Sequence, residues 1–226
     1  MIKAVFLDVD NTLLDFNECS LLSIKQACEK FGVKFNERLV ETFHRINNIL
    51  WHDIEKGTIT KEHLHEIRWK LIFDDIGGID ADGIEFEKEF FAGLNTIAVP
   101  VDGATELVEY LAGKYDLYVV SNAAYSQQIN RLEKCGMLKY IKKVFVSDDI
   151  GFAKPSCEFF DACYSELTHI KPCETVIIGD SLSADIIGGI NYGLKSCWFN
   201  LKKEPLPEDV KPDMVTESLR DIPGFL

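Results

Sequence analysis

The feature that most limits how this chain can fold is a series of short apolar runs, each cut off by polar residues. Ala4–Leu7 gives way to Asp8, Leu117–Val120 to Ser121-Asn122, and Val144–Val146 to Ser147-Asp148-Asp149. Val176–Ile178 gives way to Gly179-Asp180-Ser181, and Ser196–Phe199 to Asn200. Uninterrupted apolar runs of this length suit strands buried on both faces, as in a parallel sheet covered by helices. Helical patterns lie between them, at Thr105–Lys114, Ser126–Cys135, Cys157–Leu167 and Ala184–Tyr192. Alternation of strand and helix calls for right-handed crossovers, so the fold class expected is α/β, a doubly wound parallel sheet. In such sheets ligands bind beyond the carboxyl ends of the strands, which is where these polar residues collect.

Between Asp15 and Val99 the rhythm changes, and no run there reads as a buried strand. Leu21, Leu22, Ala27 and Phe31 recur at helical spacing up to Gly32, a C-cap residue. A second helix is expected over Glu37–Glu55, ending near Gly57. A third follows Thr60 as N-cap and carries Leu64, Ile67, Leu71 and Ile72 on one side. A fourth spans Ile84–Leu94, and Pro100 restarts the alternation. The expected organisation is an α/β core made of residues 1–14 and 100–226, with residues 15–99 inserted as a helical cap. Lys202–Pro212, rich in proline and charge, reads as a surface loop before a short last strand and helix.

With 226 residues, 46% of them hydrophobic, the chain can bury a substantial core. Its formal net charge of −13 leaves no basic surplus for nucleic-acid polymers or anionic membranes, so the partner expected is a small molecule. If such an acidic chain handles phosphate, it needs a locally positive site from a metal, a lysine or helix N-termini. The seven cysteines are scattered, odd in number and without a C-x-x-C pair, which reads as reduced thiols. The chain enters its first strand without a charged leader, and no apolar stretch approaches the roughly 20 residues of a membrane span. A soluble, cytoplasmic protein is expected.

Asp8-Val9-Asp10-Asn11-Thr12 follows the first apolar run. Burying unpaired carboxylates is costly or forces their protonation, so this pair calls for a cation or a chemical task. A solvated turn with an Asx cap uses the same residues. Strand alternation would put Asp8 and Asp10 on one side, but the chain is leaving the strand there, so one can turn to a metal and the other to substrate. Ser121-Asn122 offers a hydroxyl and nearby backbone N–H groups to a phosphoryl oxygen, or simply makes a turn. Lys154 offers a fixed positive charge, with Pro155 starting a helix as the plainer reading. Asp180 and Asp185 make a hard, oxygen-rich site suited to Mg²⁺, or cap the next helix. Four unrelated caps should not reproduce one ordered set of acid pair, hydroxyl, lysine and acid pair, each at a strand end. The set points to metal-assisted phosphoryl transfer.

This order resembles the haloacid dehalogenase superfamily, whose four motifs match Asp8-x-Asp10-x-Thr12, Ser121, Lys154 and Gly179-Asp180-x-x-x-x-Asp185. The resemblance covers the whole chain and implies a Rossmann-like core with a helical cap inserted after the first motif. It implies that Asp8 attacks phosphorus to form an aspartyl-phosphate, and that Asp10 protonates the leaving oxygen and then activates water. Ser121, Asn122 and Lys154 would hold the phosphoryl group. Mg²⁺ would be held by Asp8, the Asp10 backbone carbonyl and Asp180, with Asp185 as a ligand or as the group that orients one. Dehalogenases of the superfamily need no acid at position 10, so Asp10 implies a phosphatase or phosphomutase. Asn11 and Ala123 stand where glycine is frequent, which bears on loop shape.

Asn47-x-x-Leu50-Trp51, Gly57-x-Ile59-Thr60, Arg68, Gly188-Gly189-Ile190-Asn191 and Cys197-Trp198-x-Asn200 are similar to the bacterial pyrimidine 5′-nucleotidase branch. That branch hydrolyses nucleoside monophosphates, noncanonical ones included. The likeness implies that Asn47 and Trp51 help contact a base or sugar. Alternatively Trp51 packs with Leu50 and Phe43 inside the cap bundle, and Arg68 pairs with a cap carboxylate. The five histidines show no metal-ligand grouping, and His63 and His65 cannot share a helix face. The expectation is a Mg²⁺-dependent phosphomonoesterase, a hydrolase of nucleoside 5′-monophosphates in nucleotide metabolism. A phosphatase of sugar phosphates or other small metabolites, a phosphomutase, and a non-catalytic binding module on the same fold stand as alternatives.

Overall fold

The computed structural model describes residues 1–226. Its strands are β1 (Ala4–Leu7), β2 (Asp116–Ser121), β3 (Lys143–Val146), β4 (Thr175–Gly179), β5 (Lys195–Phe199) and β6 (Met214–Thr216). They form one sheet in the order β3-β2-β1-β4-β5-β6, with every neighbouring pair parallel. The chain winds outward from β1 in one direction and then returns to build the other half from β4. The doubly wound α/β sheet is therefore present, and its winding reverses beside β1. Several strands run a residue past their apolar runs. Asp116, Ser121, Lys143 and Lys195 pair through their backbones, which carries no hydropathy signal.

The helices are α1 (Phe16–Phe31), α2 (Glu37–Glu55), α3 (Lys61–Ile76), α4 (Gly83–Leu94), α5 (Ala104–Ala112), α6 (Tyr125–Lys134), α7 (Ser147–Ile150), α8 (Cys157–Glu166) and α9 (Gly188–Tyr192). The chain divides into two compact units, Met1–Phe16 with Ala98–Leu226, and Asn17–Ile97. In the first, alternate residues of β1–β4 serve two cores, as a strand covered on both faces requires. Val5 and Leu7 pack with Val119 and Ile178 of the sheet and with Leu107, Val108 and Leu111 of α5. Ala4 and Phe6 face the other way, toward Tyr118, Val120 and Ile177 and the Phe159 and Phe160 rings of α8. Where the chain leaves and re-enters this unit, its two crossing segments are stitched together. Asp15 N–H donates to the Val99 carbonyl (2.8 Å) and Val101 N–H to the Leu13 carbonyl (3.0 Å).

The second unit is built from α1–α4. Side chains cap its helices, with Asn36 accepting from Leu39 N–H, Thr60 from His63 N–H, and Asp82 from the N–H groups of Ile84 and Glu85. Its core is aromatic. The Trp69 ring stacks on Phe43 at 5.5 Å between centroids and meets Phe86 at 4.4 Å. The inward face of α3 differs from the expected apolar stripe: Leu64, Arg68, Trp69, Ile72 and Phe73 are buried, and Leu71 is exposed. Trp69 sets that face because its ring fills the centre of the bundle. Arg68 joins it because Glu87 of α4 neutralises its charge, through bonds from both Nε and Nη2. Nη1 of Arg68 donates to Asn47 Oδ1 (2.7 Å), and His65 Nδ1 lies 2.7 Å from Glu87 Oε1. Burial works against the Glu87 carboxylate, but the Arg68 charge and the His65 hydrogen bond outweigh it and hold its pKa below the ordinary value. No helix is long and apolar enough to cross a membrane.

Candidate active site

Past Leu7 the chain turns sharply, and the Val9 carbonyl accepts from the N–H groups of Thr12, Leu13 and Leu14 (3.2, 2.8 and 2.9 Å). The turn puts Asn11 in the left-handed region, at φ 61, where asparagine is among the best-tolerated residues after glycine. The departure at position 11 thus keeps the turn. The two acids of the motif find separate partners. Asp8 accepts from Thr12 Oγ1 (3.1 Å) and Lys154 Nζ (2.9 Å). Asp10 accepts from Arg131 Nη1 (2.7 Å) and Gln128 Nε2 (2.8 Å).

Lys154 is 2% exposed. Its ammonium donates to Asp8 Oδ1 (2.9 Å), Asp185 Oδ1 (2.6 Å) and the Val120 carbonyl (2.8 Å), which accounts for all three of its hydrogens. Asn122 holds the Lys154 backbone from both sides: its Oδ1 accepts from Lys154 N–H (2.8 Å) and its Nδ2 donates to the Lys154 carbonyl (2.9 Å). The side chain of Asn122 therefore locates the lysine. Pro155 does not start a helix. The Lys154–Pro155 peptide is cis, and Ser156 caps α8 by accepting from Phe159 N–H (3.3 Å).

After β4, the helix expected from Ala184 begins with a widened turn, in which the Ser181 carbonyl accepts from both Asp185 N–H (3.1 Å) and Ile186 N–H (3.2 Å). This turn tucks the Asp185 side chain under Gly179. A Cβ at Gly179 would lie 2.6 Å from that of Asp185 and collide with its carboxylate, so only glycine permits the approach. Asp185 Oδ2 accepts from Ser181 N–H (3.1 Å). Asp180 is held through its backbone, its N–H donating to Thr12 Oγ1 (3.0 Å) and its carbonyl accepting from Trp198 Nε1 (2.9 Å). Thr12 thus links the first motif to the last.

One carboxylate oxygen each from Asp8, Asp180 and Asp185 lies within 4.8 Å of the others. Burial raises the Asp8 carboxyl to about 7; Lys154 pulls it down, and Asp185 and Asp10 push it up. Burial, then the Asp8 and Asp185 charges, hold Asp180 well above the ordinary carboxylate range. Burial alone would lower Lys154, but Asp185 and Asp8 overcome this and raise it. Three carboxylates around a single ammonium leave a deficit of positive charge. Hard oxygen donors with such a deficit fit a divalent cation.

Residues 5–199 match the model of the haloacid dehalogenase-like hydrolase family. The chain belongs to that family. Over 220 residues it is 31% identical to the HAD-hydrolase YfnB of Bacillus subtilis, covering 97% of this chain and 93% of that protein. The crystal structure of YfnB bound to magnesium superposes with a TM-score of 0.94, covering 100% of this chain and 98% of that one. Two pyrimidine 5′-nucleotidases are also similar. YjjG of Escherichia coli is 26% identical over 222 residues (98% of this chain, 96% of YjjG), and PynA of Streptococcus pneumoniae 30% over 199 residues (88% and 84%). The chain is thus a phosphatase of the haloacid dehalogenase-like family.

Two residues of this hydrolase escaped the sequence reading: Gln128 and Arg131, both on α6 and fully buried. Gln128 Nε2 donates to Ser121 Oγ (2.9 Å) as well as to Asp10. Ser121 Oγ also accepts from Ala123 N–H (3.1 Å), a bond that alanine makes with no left-handed backbone. A signal was present. Gln128, Arg131, Leu132 and Cys135 follow the spacing of a core-facing helix stripe, and a glutamine and an arginine inside such a stripe need partners. Asn47 and Trp51 lie in the other unit. Asn47 is buried with its carbonyl oxygen given to Arg68, so it belongs to the polar cluster around Glu87. Leu50 and Phe43 are core residues of the bundle, and Trp51 is half-buried.

Proposed function

We propose that this hydrolase is a Mg²⁺-dependent nucleoside 5′-monophosphatase that works through Asp8 as nucleophile. The observation that carries the chemistry is the Asp8 carboxylate, fixed between Thr12 and Lys154, with a second acid two residues on that has partners of its own. In this reading an Asp8 oxygen bonds to phosphorus as the bond from phosphorus to the leaving oxygen breaks, and Asp10 gives that oxygen a proton. Asp10 then takes a proton from the water that cleaves the aspartyl-phosphate. Ser121 and Asn122 contact the phosphoryl group, and Lys154, whose hydrogens are given to Asp8, Asp185 and Val120, supplies fixed positive charge beside it, where preorganised charge acts most strongly. Asp8, the Asp10 backbone carbonyl and Asp180 are the groups that would hold Mg²⁺. Asp185, with one oxygen on Lys154 and the other on Ser181 N–H, serves to orient the lysine. The bound cation supplies positive charge that offsets the carboxylates and the phosphoryl group.

The nucleotide assignment is supported by the likeness to two pyrimidine 5′-nucleotidases, which extends over the helical unit as well as the core. A panel of nucleoside 5′-monophosphates, sugar phosphates and nitrophenyl phosphate, each assayed with Mg²⁺, tests it. Pyrimidine nucleotides are expected to show the highest kcat/KM, EDTA to abolish turnover, and Asp8→Asn to be inactive. Sugar phosphates ahead of nucleotides by about tenfold would replace the substrate assignment. Turnover by Asp8→Asn would overturn the mechanism.

A further inference from the structure

We propose that Gln128 and Arg131 are positioning residues that lock Asp10 and Ser121 together: they hold the Asp10 carboxylate in one orientation and aim the Ser121 hydroxyl proton at the phosphoryl group. This rests on the reading of Asp10 as acid–base given above.

The argument begins with burial. Arg131 and Gln128 are both 0% exposed. An arginine is rarely so enclosed unless its charge is matched, and here Asp10, 121 positions away in the chain, supplies the match. Arginine can only donate, so its Nη1 facing Gln128 (3.3 Å) requires the Gln128 oxygen there and turns the amide NH₂ the other way. That NH₂ has two hydrogens and two takers, Asp10 Oδ2 and Ser121 Oγ. Arg131 therefore sets the sense of the amide, and the amide ties the acid to the hydroxyl.

The consequence for each end is specific. Asp10 has a donor on each oxygen, Arg131 on Oδ1 and Gln128 on Oδ2, so rotation of the carboxylate breaks one bond or the other. Ser121 Oγ accepts from Gln128 Nε2 and from Ala123 N–H, which occupies both its lone pairs. Its own proton is then available only for donation outward, and a phosphoryl oxygen is an acceptor. The clamp thus turns a hydroxyl that can point either way into a committed donor, and commits the acid to one approach to the leaving oxygen.

The test separates positioning from a general structural role through the leaving group. The value of kcat/KM covers steps up to loss of the alcohol, so it senses proton delivery when the alcohol is a poor leaving group. The probes are uridine 5′-monophosphate, whose alkoxide needs the proton, and nitrophenyl phosphate, whose phenolate scarcely does. Gln128→Met should lower kcat/KM for the nucleotide about 100-fold and for the aryl ester by about tenfold or less. Arg131→Lys, which keeps the buried charge, should fall between Gln128→Met and the parent enzyme with the same substrate dependence. Folding is checked by the urea midpoint of each variant. Equal proportional losses on the two esters, or no loss, in whichever variant folds would overturn the proposal. Asp10→Asn is run beside them. If it shows no leaving-group dependence, the acid role of Asp10 fails; if it does and the clamp variants do not, only the positioning assignment fails.

Discussion

The buried carboxyls around Lys154 should make the stability of the fold depend on pH. Asp8 is 8% exposed, and its carboxyl is raised from 3.8 to about 7 by burial, with Lys154 opposing and Asp185 adding. Across that interval the folded protein keeps a proton that the unfolded chain has lost. Protons bound preferentially by the folded state make stability fall as pH rises. The contribution is whole below pH 3.8, declines through the interval and is gone above about 7. At roughly 1.4 kcal/mol per pH unit, Asp8 alone accounts for about 4 kcal/mol, about 3 kcal/mol of it between pH 5 and pH 8. Asp180 is raised in the same sense and adds to the fall. Carboxyls held below their ordinary range, such as Glu87, lose their contribution only as pH falls, so this window is clear of them. The assay is urea unfolding at pH 5 and pH 8, in EDTA and in Mg²⁺. In EDTA the unfolding free energy should drop by about 3 kcal/mol or more between the two, and Mg²⁺ should stabilise more at pH 8 than at pH 5. Asp8→Asn, neutral at both, should lose most of the drop. Equal stability at the two pH values in EDTA, or a Mg²⁺ effect independent of pH, would refute the reasoning.

Three further expectations follow from the geometry. Gly179→Ala places a methyl group against Asp185 and should destabilise by about 1–3 kcal/mol while weakening Mg²⁺ binding. A urea midpoint and a Mg²⁺ titration both matching the parent would refute it. Asn122→Ala removes both bonds to the Lys154 backbone and should lower kcat/KM by about tenfold or more, with Asn122→Asp, which keeps the acceptor, in between. In the helical unit, Glu87→Gln leaves the buried Arg68 without its counter-charge and should destabilise that unit by about 3–5 kcal/mol. Tryptophan fluorescence during unfolding reports it through Trp69, and an unshifted midpoint would count against the pairing.

What the amino-acid order made legible was whatever local pattern encodes. A strand buried on both faces cannot hide its apolar run, so β1–β5 and their polar ends could be read directly, and with them Asp8, Ser121, Lys154, Asp180 and Asp185. What escaped depends on partners far off in the chain. The pairing of Arg68 with a cap carboxylate is one of the two readings its sequence allows, but which acid it meets, Glu87, is not written locally, and Arg131 sits in a core stripe whose partner, Asp10, lies far off in the chain. Asn122 looks like a turn residue or a phosphate ligand until the Lys154 backbone, 32 positions on, is seen to bracket its amide. The widened turn before α9 carries no hydropathy mark, because it answers to the need to seat Asp185 beneath Gly179.

The stitched crossing at Leu13–Asp15 and Val99–Val101 has a consequence for how such a chain can change. The α/β unit closes on itself at the point where Asn17–Ile97 departs, so from its side that long stretch is a loop whose ends are already joined. Insertions, deletions or wholesale replacement beyond that clasp leave the register of β1 against β2 and β4 untouched. Loop closure that is secured locally makes the length of the excursion nearly irrelevant to the stability of the sheet. A chain arranged this way can exchange one stretch for another over evolutionary time while the reacting groups at the ends of its strands stay where they are.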